Sequence, residues 1–160
     1  MVRLTLKIKA ELENVTDLQP TDDFEYFFKV KCTQCNETHK KTISINRHEK
    51  YEVAGGKGGM ANFVWKCGLC KREASARFEP SFPTQPYSEE NEQLAPFVTL
   101  DCRNLEFVGF DPKGTWKCVG VKSGTVFDDV DLSEGEWSDY DEKSALPVGV
   151  SNVEGEWSRA

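Results

Sequence analysis

The chain has 160 residues, of which 20 are basic and 27 acidic, and its formal net charge is −7. That length suits one domain or two small lobes, and it is enough for a hydrophobic core that needs no disulfides. No apolar run approaches the roughly 18 residues of a membrane-spanning helix, and the first residues alternate apolar and charged side chains where a signal peptide would be continuously apolar. The sequence therefore predicts a cytoplasmic protein with reduced thiols and no membrane association.

Alternating hydrophobicity along the chain predicts a mostly-β fold. The first strand is predicted where Leu4, Leu6 and Ile8 alternate with polar residues, and long amphipathic helix patterns are absent. The segment Glu79–Pro96 is polar and contains four prolines, so it is predicted to be a connector that sustains neither a helix nor a central strand. Further strands are predicted, in chain order, in the segments FEYFFKVKC, KTISI, FVWK, REASARFEP, FVTLDCRNLEFVGF, TWKCVGVKSG, TVFDDVDL and VGVSNVEGEW.

The two sides of the connector resemble each other. Residues 10–20 align with residues 102–112, with proline at the end of both segments, and KVKCTQCN then lies over GVKSGT. We therefore predict two related β lobes in one compact unit: a zinc-binding lobe at 1–78, the connector at 79–96 and an acidic, metal-free lobe at 97–160. The alternative is a chance likeness between short strands with similar turns, and the repeat EGEWS at 134–138 and 154–158 does not fit the scheme.

Four of the six cysteines form two C-x2-C pairs, Cys32/Cys35 and Cys67/Cys70, with 31 residues between the pairs. Two such turns brought together by a sheet would present four thiolates, the closed ligand set of a structural zinc site. The spacing is longer than the about 15–20 residues of a zinc ribbon, but the entropy cost of closing a loop grows slowly with its length. We predict one Zn²⁺ per chain on these four cysteines.

Further predictions concern the backbone of the two turns, the chemistry of the thiols and the two histidines. Asn36 and Gly68 are predicted to provide the left-handed backbone conformations that such turns use. A redox dithiol would be expected between a strand and a helix, which this sequence lacks, whereas iron or copper on the same thiolates stays open. His39 and His48 are predicted to be surface residues, with His39 as an alternative fourth ligand. A zinc deaminase is excluded because neither histidine begins an H-x-E motif.

Two single cysteines lie apart from the pairs. Cys102 and Cys118 occur within apolar strand segments, and we predict that they are small buried hydrophobic residues.

Charge is segregated along the chain. Residues 29–77 carry 11 Lys/Arg and 4 Asp/Glu, a net +7, whereas residues 101–160 are net −7. We predict a partner-binding surface near the paired cysteines, formed by Lys57 of the glycine-rich loop together with Lys71 and Arg72, for an acidic protein of unknown identity. The alternative is that these cations merely balance the thiolates. A second docking option is the acidic segment 138–143, which is otherwise a solvated face.

The sequence resembles the CXXC-motif-containing zinc-binding proteins, a small and largely uncharacterised eukaryotic family. The resemblance covers roughly residues 1–150 and leaves the last ten outside. It implies a zinc ion on the four paired cysteines in a mostly-β protein, and it brings no established reaction. It rests on the segments LKIKAELENVTDL, KCTQCNE, GGKGG, WKCGLCKRE, QPYSEENE, LDCRNLEFVGFDP and SGTVFDDVDLSEGEWSDYDEK.

The predicted function is that of a zinc-binding protein that is not an enzyme and acts through protein contacts. Four cysteines close the metal's coordination shell, so no position is left for a catalytic water. Nucleic-acid binding in the manner of a zinc ribbon is the first alternative. The acidic remainder of the chain and the few aromatics among the basic residues argue against it. Metal transfer is the second alternative, and it would need thiolates that exchange their metal.

Overall fold

The computed structural model describes residues 2–39, 41–53, 59–88 and 93–160, and every regular element in these ranges is a β-strand. The mostly-β fold class is confirmed. Among the described residues, no helix has the length and apolar character that a membrane span requires. The strands are β1 (Val2–Glu13), β2 (Val15–Pro20), β3 (Tyr26–Cys32), β4 (Ile43–Ile45), β5 (Tyr51–Glu52), β6 (Met60–Ala61), β7 (Phe63–Lys66), β8 (Glu73–Phe78), β9 (Ala95–Arg103), β10 (Leu105–Asp111), β11 (Thr115–Gly120), β12 (Val126–Asp131), β13 (Glu136–Asp141) and β14 (Leu146–Arg159).

The strands pair into four antiparallel sheets. The largest has six strands in the order β13-β14-β1-β9-β8-β7, with β1 and β9 side by side at its centre. Two three-stranded sheets have the orders β10-β3-β4 and β12-β11-β2, and β5 pairs with β6. Residues of β1 alternate between buried and exposed faces over much of its length, as the alternating sequence predicts.

The sheet orders are symmetric within the chain. Exchanging β1 with β9, β8 with β14 and β7 with β13 maps the six-stranded sheet onto itself. Continuing the exchange with β2 for β10, β3 for β11 and β4 for β12 maps one three-stranded sheet onto the other. The two related halves are therefore confirmed. The predicted alignment was wrong by two residues, because Asn14, between β1 and β2, corresponds to Asn104, between β9 and β10.

The halves exchange strands with each other. Strand β2 pairs with β11 and strand β10 pairs with β3, so each three-stranded sheet contains strands from both halves. The predicted connector also takes part in pairing. Strand β9 begins at Ala95, and Tyr87 exchanges two backbone hydrogen bonds with Leu18, at 2.8 and 2.7 Å. The lobe limits 1–78 and 97–160 stay a prediction.

An aromatic core lies between the large sheet and the smaller ones. Phe97 of β9 stacks on Trp116 of β11 with ring centroids 5.5 Å apart, and Phe28 of β3 meets Trp157 of β14 edge to face at 4.9 Å. Phe97, Trp116 and Phe28 are each fully buried. Burying such rings is worth roughly 25 cal/mol per Å² of apolar surface. Strand β3 runs out of this core into the first cysteine turn, and the packing therefore fixes where that turn lies.

Candidate metal centre

The first cysteine turn closes the end of β3. The backbone N–H of Asn36 donates to the carbonyl of Cys32 at 2.9 Å, and the N–H of Cys32 donates to the carbonyl of Glu37 at 2.9 Å. These two bonds reverse the chain within six residues. They leave the Cys32 and Cys35 side chains on the same side of the turn.

The second cysteine turn, between β7 and β8, has the same frame. The N–H of Lys71 donates to the carbonyl of Cys67 at 3.0 Å, and the N–H of Cys67 donates to the carbonyl of Arg72 at 3.0 Å. A C-x2-C spacing therefore folds the same way twice, although the two pairs lie in unrelated local sequences.

Each turn has one left-handed residue directly after its second cysteine. At the first turn it is Asn36, with φ 63°, as predicted. At the second turn it is Lys71, with φ 64°, and not Gly68, so the prediction for Gly68 was wrong. The left-handed position is set by the turn's hydrogen-bond frame, which places it four residues after the first cysteine. A lysine there costs about 1 kcal/mol relative to glycine, which the closed turn offsets.

The folded chain brings the four sulfur atoms together. All four Sγ atoms lie within 4.8 Å of one another, with Cys32 and Cys70 3.7 Å apart and Cys35 and Cys67 3.5 Å apart. A tetrahedral ion with bonds of about 2.3 Å to sulfur needs sulfur–sulfur edges of about 3.8 Å. A disulfide would need about 2.05 Å, and all four cysteines are free. The observed cluster fits a tetrahedral thiolate-bound ion.

The cluster is half enclosed by the protein. Cys32 and Cys67, the first cysteine of each turn, are buried, whereas Cys35 and Cys70 are partly exposed. Lys71 and Arg72 are exposed at the end of the second turn. The ion would therefore be held from the core side, with one edge of its ligand set near solvent.

Backbone amides set the acidity of the thiols. The pKa of Cys67 is lowered to about 7, chiefly because the amide of Cys70 donates toward its sulfur, with the amide of Leu69 adding to the effect. At Cys35 the amide of Glu37 acts in the same direction. Desolvation and the hydrogen bonds with the neighbouring thiols outweigh it and raise the pKa of Cys35 to about 12. A cation among the sulfurs favours the thiolate form of all four, because ligating thiols lose their protons.

The remaining predicted residues lie outside the cluster. His39 stacks edge to face on Trp65 at 5.4 Å, and its Nδ1 accepts from the N–H of Lys41 at 3.0 Å. The sulfur cluster does not include it, so its alternative role as a ligand has no support. His48 is exposed, as predicted. Lys57 lies outside the described residues.

The two unpaired cysteines are buried, as predicted. Cys102 and Cys118 are each 1 % exposed. Burial raises the pKa of each thiol to about 12, so both behave as small apolar side chains.

Sequence reasoning missed one residue of the centre, Asn104. Its carbonyl accepts from the N–H of Thr33 in the first turn at 3.2 Å, and its Nδ2 donates to the carbonyl of Glu73, just beyond the second turn, at 3.0 Å. Asn104 lies between β9 and β10 with φ 60°. An asparagine between two apolar strand segments was the available signal, since asparagine readily adopts this conformation.

Two turns bring four cysteines together at these distances in a fold built of β-strands. The chain is therefore of the class of all-β proteins with a four-cysteine metal site. Comparison with known proteins gives the family. Residues 5–158 match the family model described as "CXXC motif containing zinc binding protein, eukaryotic". The chain belongs to this family of zinc-binding proteins.

Individual relatives match nearly the whole length of the chain. A CXXC motif containing zinc binding protein of Bos taurus is 41% identical over 154 residues, covering 96% of each chain. Among solved structures, a crystal structure of C1orf123 has a TM-score of 0.90 at 39% identity and covers 99% of both chains. A hypothetical protein from Plasmodium falciparum has a TM-score of 0.85 at 28% identity, covering 99% of this chain and 100% of that one.

The family match corrects the predicted extent of the resemblance. It reaches residue 158, whereas the sequence had placed the last ten residues outside. The structure gives the physical reason. Strand β14 runs to Arg159 and pairs with β1, with Leu4 opposite Arg159, so the C-terminal segment belongs to the largest sheet.

Proposed function

We propose that the chain binds one zinc ion on Cys32, Cys35, Cys67 and Cys70, and that this ion is structural. The observation that carries the proposal is the sulfur–sulfur distances, 3.5 and 3.7 Å across the two turns, close to the edge of a zinc–thiolate tetrahedron. Four thiolates fill the coordination shell, so the ion has no open position for a water or a substrate. We therefore propose that the protein is not an enzyme.

The ion's structural effect follows from the strands it joins. Cys32 ends β3, which belongs to a three-stranded sheet, and Cys67 follows β7, the edge strand of the six-stranded sheet. One ion on both turns fastens the edge of the large sheet to the smaller one. The ion would join the two turns in addition to Asn104, which bonds to the first turn and just beyond the second.

Metal content tests this part of the proposal. Native mass spectrometry of the purified protein is expected to show one zinc per chain, and none in Cys67→Ser. Cys118→Ser is the matched control, because it removes a thiol outside the cluster. A folded, metal-free wild type with Cys32–Cys35 and Cys67–Cys70 disulfides would overturn it.

The proposed working surface is the basic face beside the turns. Lys71 and Arg72 project into solvent at the second turn, within the segment of net +7. An acidic protein partner suits this surface, whereas a long nucleic acid would also be repelled by the acidic remainder of the chain. Such contacts would weaken with salt, because exposed charges are screened over about 8–10 Å at ordinary ionic strength.

A charge reversal tests the surface. In Lys71→Glu/Arg72→Glu, zinc content and folding are expected to stay at wild-type levels, while proteins captured from cell extract at low salt are lost. Lys122→Glu/Lys143→Glu, also exposed and on turns of the other half, is the matched control. Nuclease treatment separates partners that are held through nucleic acid. If the captured proteins are unchanged, these cations only balance the thiolates.

A further inference from the structure

The first cysteine turn has a counterpart at the end of β11. The N–H of Gly120 donates to the carbonyl of Thr125 at 2.8 Å, and the N–H of Gly124 donates to the carbonyl of Gly120 at 2.9 Å. Gly124 has φ 72°. This is the hydrogen-bond frame of the Cys32 turn, with Gly120 in the place of Cys32 and Ser123 in the place of Cys35.

The second cysteine turn has a counterpart between β13 and β14. Asp141 and Leu146 are paired across this hairpin, as Cys67 and Arg72 are across theirs. Ala145, four residues after Asp141, has φ 56° and so corresponds to Lys71. Asp141 therefore takes the place of Cys67, and Ser144 takes the place of Cys70.

Burial follows the same pattern at both pairs of turns. Gly120 and Asp141 are buried, whereas Ser123 and Ser144 are partly exposed. The four cysteines alternate in the same way, with the first of each pair buried and the second partly exposed. The two sets of four positions thus occupy equivalent environments in the two halves.

A carboxylate joins the counterpart turns. The Oδ2 atom of Asp141 accepts a hydrogen bond from the Oγ of Ser123, on the other turn. Its Oδ1 atom accepts from the Oγ1 of Thr125 at 3.1 Å and from the N–H of Lys143 at 3.1 Å. Asp141 is 1 % exposed, so these bonds are shielded from water.

Gly120 is required by this arrangement. A β carbon added there would lie 2.7 Å from the Oδ2 of Asp141 and 2.7 Å from the Oγ of Ser123. The carboxylate therefore fills the space that corresponds to the side chain of Cys32 in the other half. A side chain at position 120 would displace the Asp141 carboxylate and the Ser123 hydroxyl from the positions in which they bond to each other.

We propose that these turns form a second, metal-free closure, in which the Asp141 carboxylate joins the turns of one half as a metal ion would join those of the other. The four positions 120, 123, 141 and 144 are then a latent metal site, which would bind an ion if cysteines stood there. The two closures differ in what releases them. Chelation or thiol oxidation opens the cysteine turns and leaves the Asp141 closure intact. Loss of the Asp141 carboxylate opens the counterpart turns and leaves the cysteine turns intact.

Hydrogen exchange measured by mass spectrometry on the full chain tests the closure. In Asp141→Ala, amides of both 120–125 and 141–146 are expected to exchange roughly tenfold faster or more, because the buried donors lose their acceptor. The segments 31–37 and 67–72 are expected to keep their rates. Asp129→Ala, at an exposed position of β12, is the control. Acceleration confined to 141–146 would overturn the proposal, because the carboxylate would then not join the two turns.

Rebuilding the metal site tests the equivalence of the four positions. The variant G120C/S123C/D141C/S144C is expected to bind one more zinc ion than wild type, and its Co²⁺ form is expected to gain thiolate-to-metal absorbance in proportion. The test compares the number of zinc ions bound by the variant with the number bound by wild type, and the difference is decisive whether wild type binds one ion or none. This result is therefore independent of the proposed function. A folded variant without added metal would overturn the latent site. If this variant does not fold, the exchange rates of Asp141→Ala decide alone.

Discussion

Asn14 and Asn104 make the same contacts on opposite halves of the protein. The carbonyl of Asn14 accepts from the N–H of Val121 at 3.0 Å, and its Nδ2 donates to the carbonyl of Pro147 at 2.7 Å. Asn104 bonds in the same way to Thr33 and Glu73, at 3.2 and 3.0 Å. Both asparagines are left-handed, with φ 56° and 60°. Each ties the two turns of one half together, one pair with cysteines and one without.

This relationship predicts different effects for two matched substitutions. Asn104→Ala removes the bond to Glu73 and places alanine in a left-handed conformation, so the free energy of unfolding is expected to fall by about 1–3 kcal/mol. Asn104→Gly, which keeps the backbone conformation, should lose less. Urea unfolding measures both effects.

The effect on zinc separates the two asparagines. Asn104→Ala is expected to weaken zinc binding in competition with a chelator, because the turns it holds carry the cysteines. Asn14→Ala should destabilise the fold to a similar degree and leave zinc affinity unchanged. Equal zinc affinity in Asn104→Ala and wild type would contradict this reading of the contact.

The clustered and single cysteines should respond differently to substitution. Cys67→Ser removes a ligand, and structural zinc in small modules is worth roughly 10–16 kcal/mol of apparent binding, so local or global unfolding is expected. Cys102→Ala only trims a buried side chain and should cost on the order of 1 kcal/mol. Thermal unfolding followed by circular dichroism compares the two. Equal melting temperatures for Cys67→Ser and wild type would show that the fold does not need the metal.

Thiol alkylation should distinguish the two single cysteines from an exposed cysteine of the cluster. Cys102 and Cys118 are buried, and burial raises the pKa of each to about 12, so both are expected to resist iodoacetamide at neutral pH in the native protein. The partly exposed Cys70 is expected to react once a chelator is added. Peptide mass spectrometry locates the adducts. Modification of Cys118 before Cys70 in the chelated, folded protein would contradict the described burial.

Two buried carboxyl groups, those of Glu79 and Asp101, predict how the stability of the fold responds to acid. Arg3 contacts both Glu79, at 3.2 Å, and Asp101, at 3.1 Å, and both acids are buried. The hydrogen bond with Asp101, the N–H of Ser81 and the charge of Arg3 lower the pKa of Glu79 from 4.5 to about 2. Because the folded pKa is lower than the unfolded one, the charged carboxylate stabilises the fold above about pH 4.5. That contribution is lost as the pH falls toward about 2.

Glu79→Gln should reveal this contribution. The variant is expected to be less stable than wild type at neutral pH, and the difference should shrink as the pH falls from about 4.5 toward 2. Denaturant midpoints at several pH values measure it, with metal content held equal. Glu156→Gln, at an exposed position of β14, should follow wild type throughout. A difference that stays constant with pH would place the effect in packing and not in charge.

The metal site was largely predictable from the sequence because its chemistry is local. Two C-x2-C spacings identify the four cysteines that cluster, and each spacing folds into the same short turn. Gly68 was misjudged, since a glycine signals only that a left-handed conformation is allowed. The frame of hydrogen bonds put that conformation at Lys71.

What the sequence determined by itself was most of the strands, though not β2, β5, β6 or β13, together with the four clustered cysteines and the likeness of the two halves, since alternation and turn spacing are written over a few residues. Only the tertiary structure decided the exchange of β2 and β10 between halves, the true correspondence of Asn14 with Asn104, and the closure by Asp141. The segment that contains Asp141 reads as an acidic surface, yet this aspartate is 1 % exposed. Strand pairing and burial between residues far apart depend on how the whole core packs, which no short stretch of sequence records.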